Sequence, residues 1–240
     1  MTKVDEHRAA LRALPPGQVP GYLTQHSGLP GPRGNLEVMA AFADVAPAPL
    51  VLALADDPDE YLRCCGTVGA GRLLVEALAA GDDDGARDLL ALLHDRAADP
   101  LWRVREATAM ALQRLGDDRP ADLRGVVADW AADAHPLARR AAVAGVCEPR
   151  LLRDPATAAA ALSACTTATD ALATLPADAR RDPDVRTLRQ ALGYCWSVAV
   201  AGDPGAGLPA FAALRTTTDP DVAWVVRENE KKSRLRRLLD

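Results

Sequence analysis

The chain has 240 residues, enough to bury a sizeable core, and is 49% hydrophobic but only 4% aromatic, so its apolar content is mostly Ala, Leu and Val. A net charge of −5 argues against a dedicated nucleic-acid binder while leaving room for a local basic face. No apolar run approaches the roughly 18 residues that span a bilayer, and the charged opening Met1–Arg8 lacks the apolar stretch of a signal peptide, so no membrane association is expected and the expected location is cytoplasmic.

Ala and Leu favour helix, and β-branched runs with period two are scarce, so the expectation is an all-α fold. Residues 3–14 read as a short amphipathic helix stopped by Pro15-Pro16-Gly17. Ser27 to Asn35 (Ser-Gly-Leu-Pro-Gly-Pro-Arg-Gly-Asn) reads as a rigid loop, with Asn35 capping a helix from Leu36 to about Val45. Residues 1–55 are expected to form an N-terminal helical cap, continuous as one domain with a repeat region over 56–240.

In that region Pro58, Pro100, Pro136, Pro183 and Pro220 each fall near the start of an apolar helical pattern, four after Asp and one after His. Asp at the N-cap takes orphan amides through its carboxylate, and proline at the next position has no amide to satisfy. The intervals of 42, 36, 47 and 37 residues accommodate two helices and two turns each. Partner helices are expected over 85–98, 121–132, 155–175 and 207–215. Gly81 to Gly85 reads as a turn and helix start, and Gly202-Asp203-Pro204-Gly205 as a plain loop.

Two pentads reinforce the repeat. Trp102-Arg103-Val104-Arg105-Glu106 recurs as Trp224-Val225-Val226-Arg227-Glu228, each shortly after an Asp-Pro. Within Val104 to Asp117, Val104, Ala107, Ala111 and Leu115 form one apolar stripe, and Gly116 is expected to end the helix. This segment resembles the second helix of the HEAT-repeat family (V-R-x-A-x-x-x-A-L-x-x-L-G-D). Ala138-Arg139-Arg140-Ala141 and Val185-Arg186-Thr187-Leu188 are weaker copies. The chain as a whole is similar to bacterial HEAT-repeat proteins of this size. The resemblance implies a right-handed α-α superhelix, an armadillo-type solenoid, over roughly residues 56–240.

Arg105, Arg139, Arg186 and Arg227 recur at matching repeat positions. The resemblance implies that such arginines pair with an Asp of an adjacent turn, and Asp99, Asp133, Asp182 and Asp219 are available. The alternative is a binding row, since guanidinium forks suit phosphate. Its named form is a distant likeness to the AlkD-type alkylpurine DNA glycosylases, HEAT-like solenoids that hold DNA on a basic face. Trp102, Trp130, Trp196 or Trp224 would then contact a base, with Asp129 beside Trp130. The acidic balance, the scarcity of aromatics and the matched placement of two Trp count against it.

The C-terminal segment Arg227–Arg237, with six basic and two acidic side chains, reads first as a solvated helix end and second as a contact for an acidic partner or a nucleic-acid backbone. Arg33 and Asn35 are the candidate binding residues of the Ser27–Asn35 loop. Its glycines match no nucleotide-binding fingerprint, so a structural turn is the plainer reading.

His7, His26, His94 and His135 are isolated, so no metal and no cofactor are expected. No serine sits in a nucleophile motif and no catalytic residue is nominated. Cys64, Cys65, Cys147, Cys165 and Cys195 lack C-x-x-C spacing and read as small buried apolar residues. The expected function is a non-catalytic binding or scaffold protein for a protein or peptide partner. DNA binding or repair is the alternative.

Overall fold

The structure, a computed structural model, describes residues 2–239. The described residues are all-helical, with no strand. Fourteen α-helices run in chain order: α1 (Lys3–Ala13), α2 (Val19–Gln25), α3 (Leu36–Val45), α4 (Ala48–Ala55), α5 (Glu60–Ala80), α6 (Asp83–Ala97), α7 (Trp102–Asp118), α8 (Pro120–Ala131), α9 (Pro136–Val146), α10 (Pro155–Thr174), α11 (Pro183–Gly202), α12 (Pro204–Leu214), α13 (Pro220–Glu230) and α14 (Ser233–Leu239). They divide into two compact units, Met1–Leu115 and Gly116–Asp240. In each unit helices pack on their near neighbours in sequence, the local pairing of an α-solenoid.

The Asp/His-Pro starts work as the spacing predicts at three places. His135, Asp182 and Asp219 each cap the helix whose first residue is the following proline, accepting backbone amides of α9, α11 and α13. At Pro58 the cap lies downstream: Asp59 caps α5 through the amides of Tyr61 and Leu62, and Asp57 accepts the Asp59 amide. At Pro100 the helix begins two residues later, at Trp102, and Asp99 accepts the Leu101 amide.

Two expectations are corrected. Asp203-Pro204 is no plain loop: Asp203 accepts the Ala206 amide and caps α12, which begins at Pro204. Glycines on both sides hide the cap-and-proline pair. Nor does Gly116 end α7, which continues to Asp118. The glycine serves contact instead, because a Cβ there would lie 2.5 Å from Leu123 and about 3 Å from Leu151. Helices α2 and α4 escape the sequence pattern: each is short, with proline in its first turn, and carries too few turns to display a period.

Unit 1 buries Leu23, Val38, Phe42, Val51, Tyr61, Cys65, Val104 and Ala107 in one cluster, drawn from helices on both sides of residue 55. The stripe Val104, Ala107, Ala111 and Leu115 is buried throughout. The side of α5 facing α4 is bare at Gly66, where a Cβ would lie 2.1 Å from the Ala55 nitrogen. In unit 2 the core holds Leu123, Leu137, Leu172, Leu188, Trp196 and Phe211. Its polar members are paired: Trp196 Nε1 donates to Thr169 Oγ1 at 2.9 Å. Asn229 of α13 accepts the Ser197 amide of α11 at 2.8 Å and donates to the Leu192 and Val225 carbonyls.

Candidate functional site

The Ser27–Asn35 loop is tied at its ends, where the Asn35 amide donates to the Ser27 carbonyl at 2.7 Å. Gly28 has φ +74°, a backbone state in which a side chain would be strained. Ser27 is buried and its hydroxyl accepts the Leu29 amide, while the Gly31 amide donates to the Gly28 carbonyl. Asn35 then caps α3, its Oδ1 taking the amides of Glu37 and Val38. Tyr61 of α5 fixes the far side of the loop. Its hydroxyl donates to the Asn35 carbonyl at 2.6 Å, and a Cβ on Gly34 would lie 3.3 Å from its ring. Burial pushes the Tyr61 phenol well above its ordinary value, so it remains a donor.

This pinned loop forms one wall of a groove of about 420 Å³ in unit 1. Its floor is apolar, formed by Met39, Tyr61, Cys64 and Ala107, all buried. Leu36 and Trp102 stand at its mouth, 57% and 51% exposed, two of the few large hydrophobic side chains left open to solvent. Arg33, Arg103 and Glu106 supply its charges.

The two arginines differ. Arg103 is spoken for: it donates to Glu60 at 2.9 Å, and its guanidinium lies 4.6 Å from the centre of the Trp102 ring. Arg33 is exposed and, among the described residues, has no carboxylate partner. Cys64 offers no reactivity, since burial and then the nearby Glu60 carboxylate push its thiol up to about 12. Cys65, Cys147 and Cys165 are raised too, and all five cysteines are buried and free of disulfides.

The other candidate residues lie elsewhere. Arg105 folds back on its own helix start, donating to the carbonyls of Asp99 and Pro100 at 2.7 and 3.1 Å. Arg139 is half-buried in α9, and its buried Nε–H lacks an acceptor. Arg186 of α11 and Arg227 of α13 are exposed. Arginines do pair with aspartates near helix starts. Arg63 holds Asp99, Arg124 holds Asp154, Arg180 holds Asp219, and Arg189 holds Asp221. No group of His, Cys, Asp and Glu suited to a metal ion is found among the described residues, and none of their helices is long and apolar enough to cross a membrane.

Sequence reasoning placed Arg33 and Asn35 in the loop but took the matched placement of Trp102 and Trp224 as a mark against a binding role. The overlooked signal is register. Trp102 is the first residue of α7, whereas Trp224 is the fifth of α13. A ring at a helix start projects past the core stripe, and one a turn further in lies against the neighbouring helix.

No protein-family model matches the chain, and no curated protein sequence does. Among solved structures it is similar to an engineered protein, with 15% identity over 100% of this chain and 97% of that one, at a TM-score of 0.37. It is also similar to the designed armadillo repeat protein YIII(Dq)4CqI, with 13% identity over 90% and 98% of the two chains and a TM-score of 0.36. A further designed armadillo repeat protein, solved in complex with the peptide (KR)4, matches at 14% identity over 95% and 98%, with a TM-score of 0.38. Likenesses this distant carry nothing about the site.

Proposed function

We propose that the protein is a non-catalytic binding module that takes an acidic, apolar peptide segment of a partner protein in the groove beside Trp102. The observation that carries this is a half-exposed tryptophan at the mouth of an apolar groove, beside an arginine without a carboxylate partner. Trp and Arg are the side chains that most often dominate such contacts, because each combines a large contact area with directional polarity. An apolar side chain of the partner would cover Met39, Tyr61 and Ala107, and a neighbouring carboxylate would pair with Arg33. Asn35 acts through the loop, by holding Arg33 in place. Arg105, Arg139, Arg186 and Arg227 have no part in this contact. Scaffold use and a cytoplasmic location belong to the same proposal, as does the division into a cap and HEAT-type repeats.

A fluorescein-labelled peptide alternating Leu and Glu tests this against a Leu/Lys counterpart by fluorescence anisotropy. Saturable binding of the Leu/Glu peptide is expected, abolished in Trp102→Ala and weakened about tenfold in Arg33→Ala. Failure of both peptides to bind, equal binding by Trp102→Ala, or preference for the Leu/Lys peptide would refute the reading.

The AlkD-type alternative draws on the exposure of Trp102; Trp130 and Trp196 are buried and Trp224 is half-buried. The groove opposes it, because Arg33 is its single cation without a carboxylate partner and a duplex backbone needs a row of them. A gel shift with duplex DNA at low salt separates the two, and no shift there removes the alternative.

A further inference from the structure

Many arginines of this protein are held by carboxylates, but two that line one cavity are not. In unit 2 a second cavity, about 550 Å³, lies between the turn at Leu151–Arg153, the C-terminal end of α11 and the start of α14. Leu152, Val198 and Ala201 give it an apolar side, Arg153, Arg234 and Ser233 a polar one, and no carboxylate lines it. The turn and α11 meet tightly, since a Cβ on Gly202 would lie 2.9 Å from Leu152.

Arg153 is exposed and has no ion-pair partner among the described residues. The carboxylate next to it in sequence, Asp154, is occupied by Arg124 and by the Thr157 amide and hydroxyl. Asp203, which follows Gly202, caps α12. Arg234 is held by an aromatic ring and not by an acid. It donates to the Tyr194 hydroxyl at 2.8 Å and lies 5.1 Å from the centre of that ring, with Lys232 at 5.7 Å from the same centre. Arg236 and Arg237 on α14 are exposed as well. Cations lining one cavity without counter-charge repel each other, and an anion between them relieves that repulsion. Guanidinium forks suit the oxygens of a phosphate, and the hydroxyl of Ser233 can add a donor.

We propose that this cavity binds a phosphate monoester joined to an apolar group, the phosphate between Arg153 and Arg234 and the apolar part against Leu152, Val198 and Ala201. Of the basic C-terminal segment Arg234 lines this cavity, which shares no residue with the groove beside Trp102.

Isothermal titration of the intact protein with phenyl phosphate tests it, with phenol, inorganic phosphate and oligo-dT as comparison probes. The expected result is saturable one-to-one binding of phenyl phosphate, weaker binding of inorganic phosphate and none of phenol. Arg153→Gln and Arg234→Gln should each weaken it about tenfold. Arg87→Gln, in unit 1, should leave it unchanged. Unaltered thermal melts of the variants would tie the loss to the site. Absence of saturation, indifference to both substitutions, or phenol binding as well as its phosphate ester would overturn the proposal. So would tighter binding of oligo-dT, which would mark a backbone track in place of a monoester site.

Discussion

Trp224 and Trp102 share a pentad but not a setting. In unit 2, Trp224 lies against the bare backbone of Gly193 on α11, where a Cβ would come within 2.9 Å of its ring, and Arg189 covers it at 4.7 Å from the ring centre. Asp221 in turn holds Arg189. In unit 1, Trp102 also carries an arginine on its face, but that arginine is its own neighbour in α7 and the ring stays half in solvent. The same few residues thus build a packed contact in one unit and an open groove in the other. What differs is where the helix begins and whether a glycine makes room for the ring. A repeat motif specifies the core stripe and leaves the residues beside it free to diverge.

The comparison can be broken first at the aspartates that precede the two helices. Asp99 is 3% exposed and receives Arg63 at 3.1 Å together with the Leu101 amide. Asp99→Ala should cost about 3 kcal/mol in urea denaturation, since it strands a largely buried guanidinium. Asp219→Ala should cost about 1 kcal/mol, the loss of a helix cap, because Asp221 still holds Arg180 at 3.2 Å. If the two cost the same, the two helix starts are energetically alike and the contrast fails.

Asp219 also makes the difference pH-dependent. Burial raises its carboxyl, but the Val222 amide and Arg180 outweigh that, and the group sits below its ordinary 3.8. A carboxylate lowered in the folded state stabilises the protein above its unfolded value and loses that contribution as pH falls through the folded one. The urea midpoint of the wild type should therefore fall below about pH 4, and that of Asp219→Asn should fall less steeply.

Filling the glycine sharpens the contrast at the next level. Gly193→Val should cost about 1–3 kcal/mol by crowding Trp224 and should shift tryptophan emission to the red as the ring is displaced. A variant as stable as the parent, with unchanged emission, would show that the glycine is incidental. The smallest effect is expected at the other tryptophan. Trp102→Ala should change stability by no more than about 0.5 kcal/mol, as for an exposed side chain, while removing peptide binding. A large loss of stability would make Trp102 a packing residue after all.

The helical class, the caps at Asn35, His135, Asp182 and Asp219, and the buried stripe from Val104 to Leu115 were legible because each follows from short-range chemistry with a fixed spacing. Asp154 and Asp203 obey the same cap-and-proline rule and were passed over, the latter because flanking glycines suggest a loop. The arginine pairings were legible in kind but not in partner. A long guanidinium side chain reaches any carboxylate within a few ångströms, and which one is near depends on how helices stack, not on repeat position. The groove was half legible. Its rigid loop showed in the Gly and Pro spacing, but the apolar floor comes from α3, α5 and α7 together, and no local pattern reports that convergence.

Asn229 gives the second unit a built-in reporter. Its carboxamide oxygen takes the amide of Ser197, so one backbone hydrogen in the C-terminal half of α11 is held in part by a side chain thirty-two residues away in α13. Hydrogen exchange at that single amide would follow the detachment of α13 from α11, and it would register opening of the chain's last turns before the rest of unit 2 loosens.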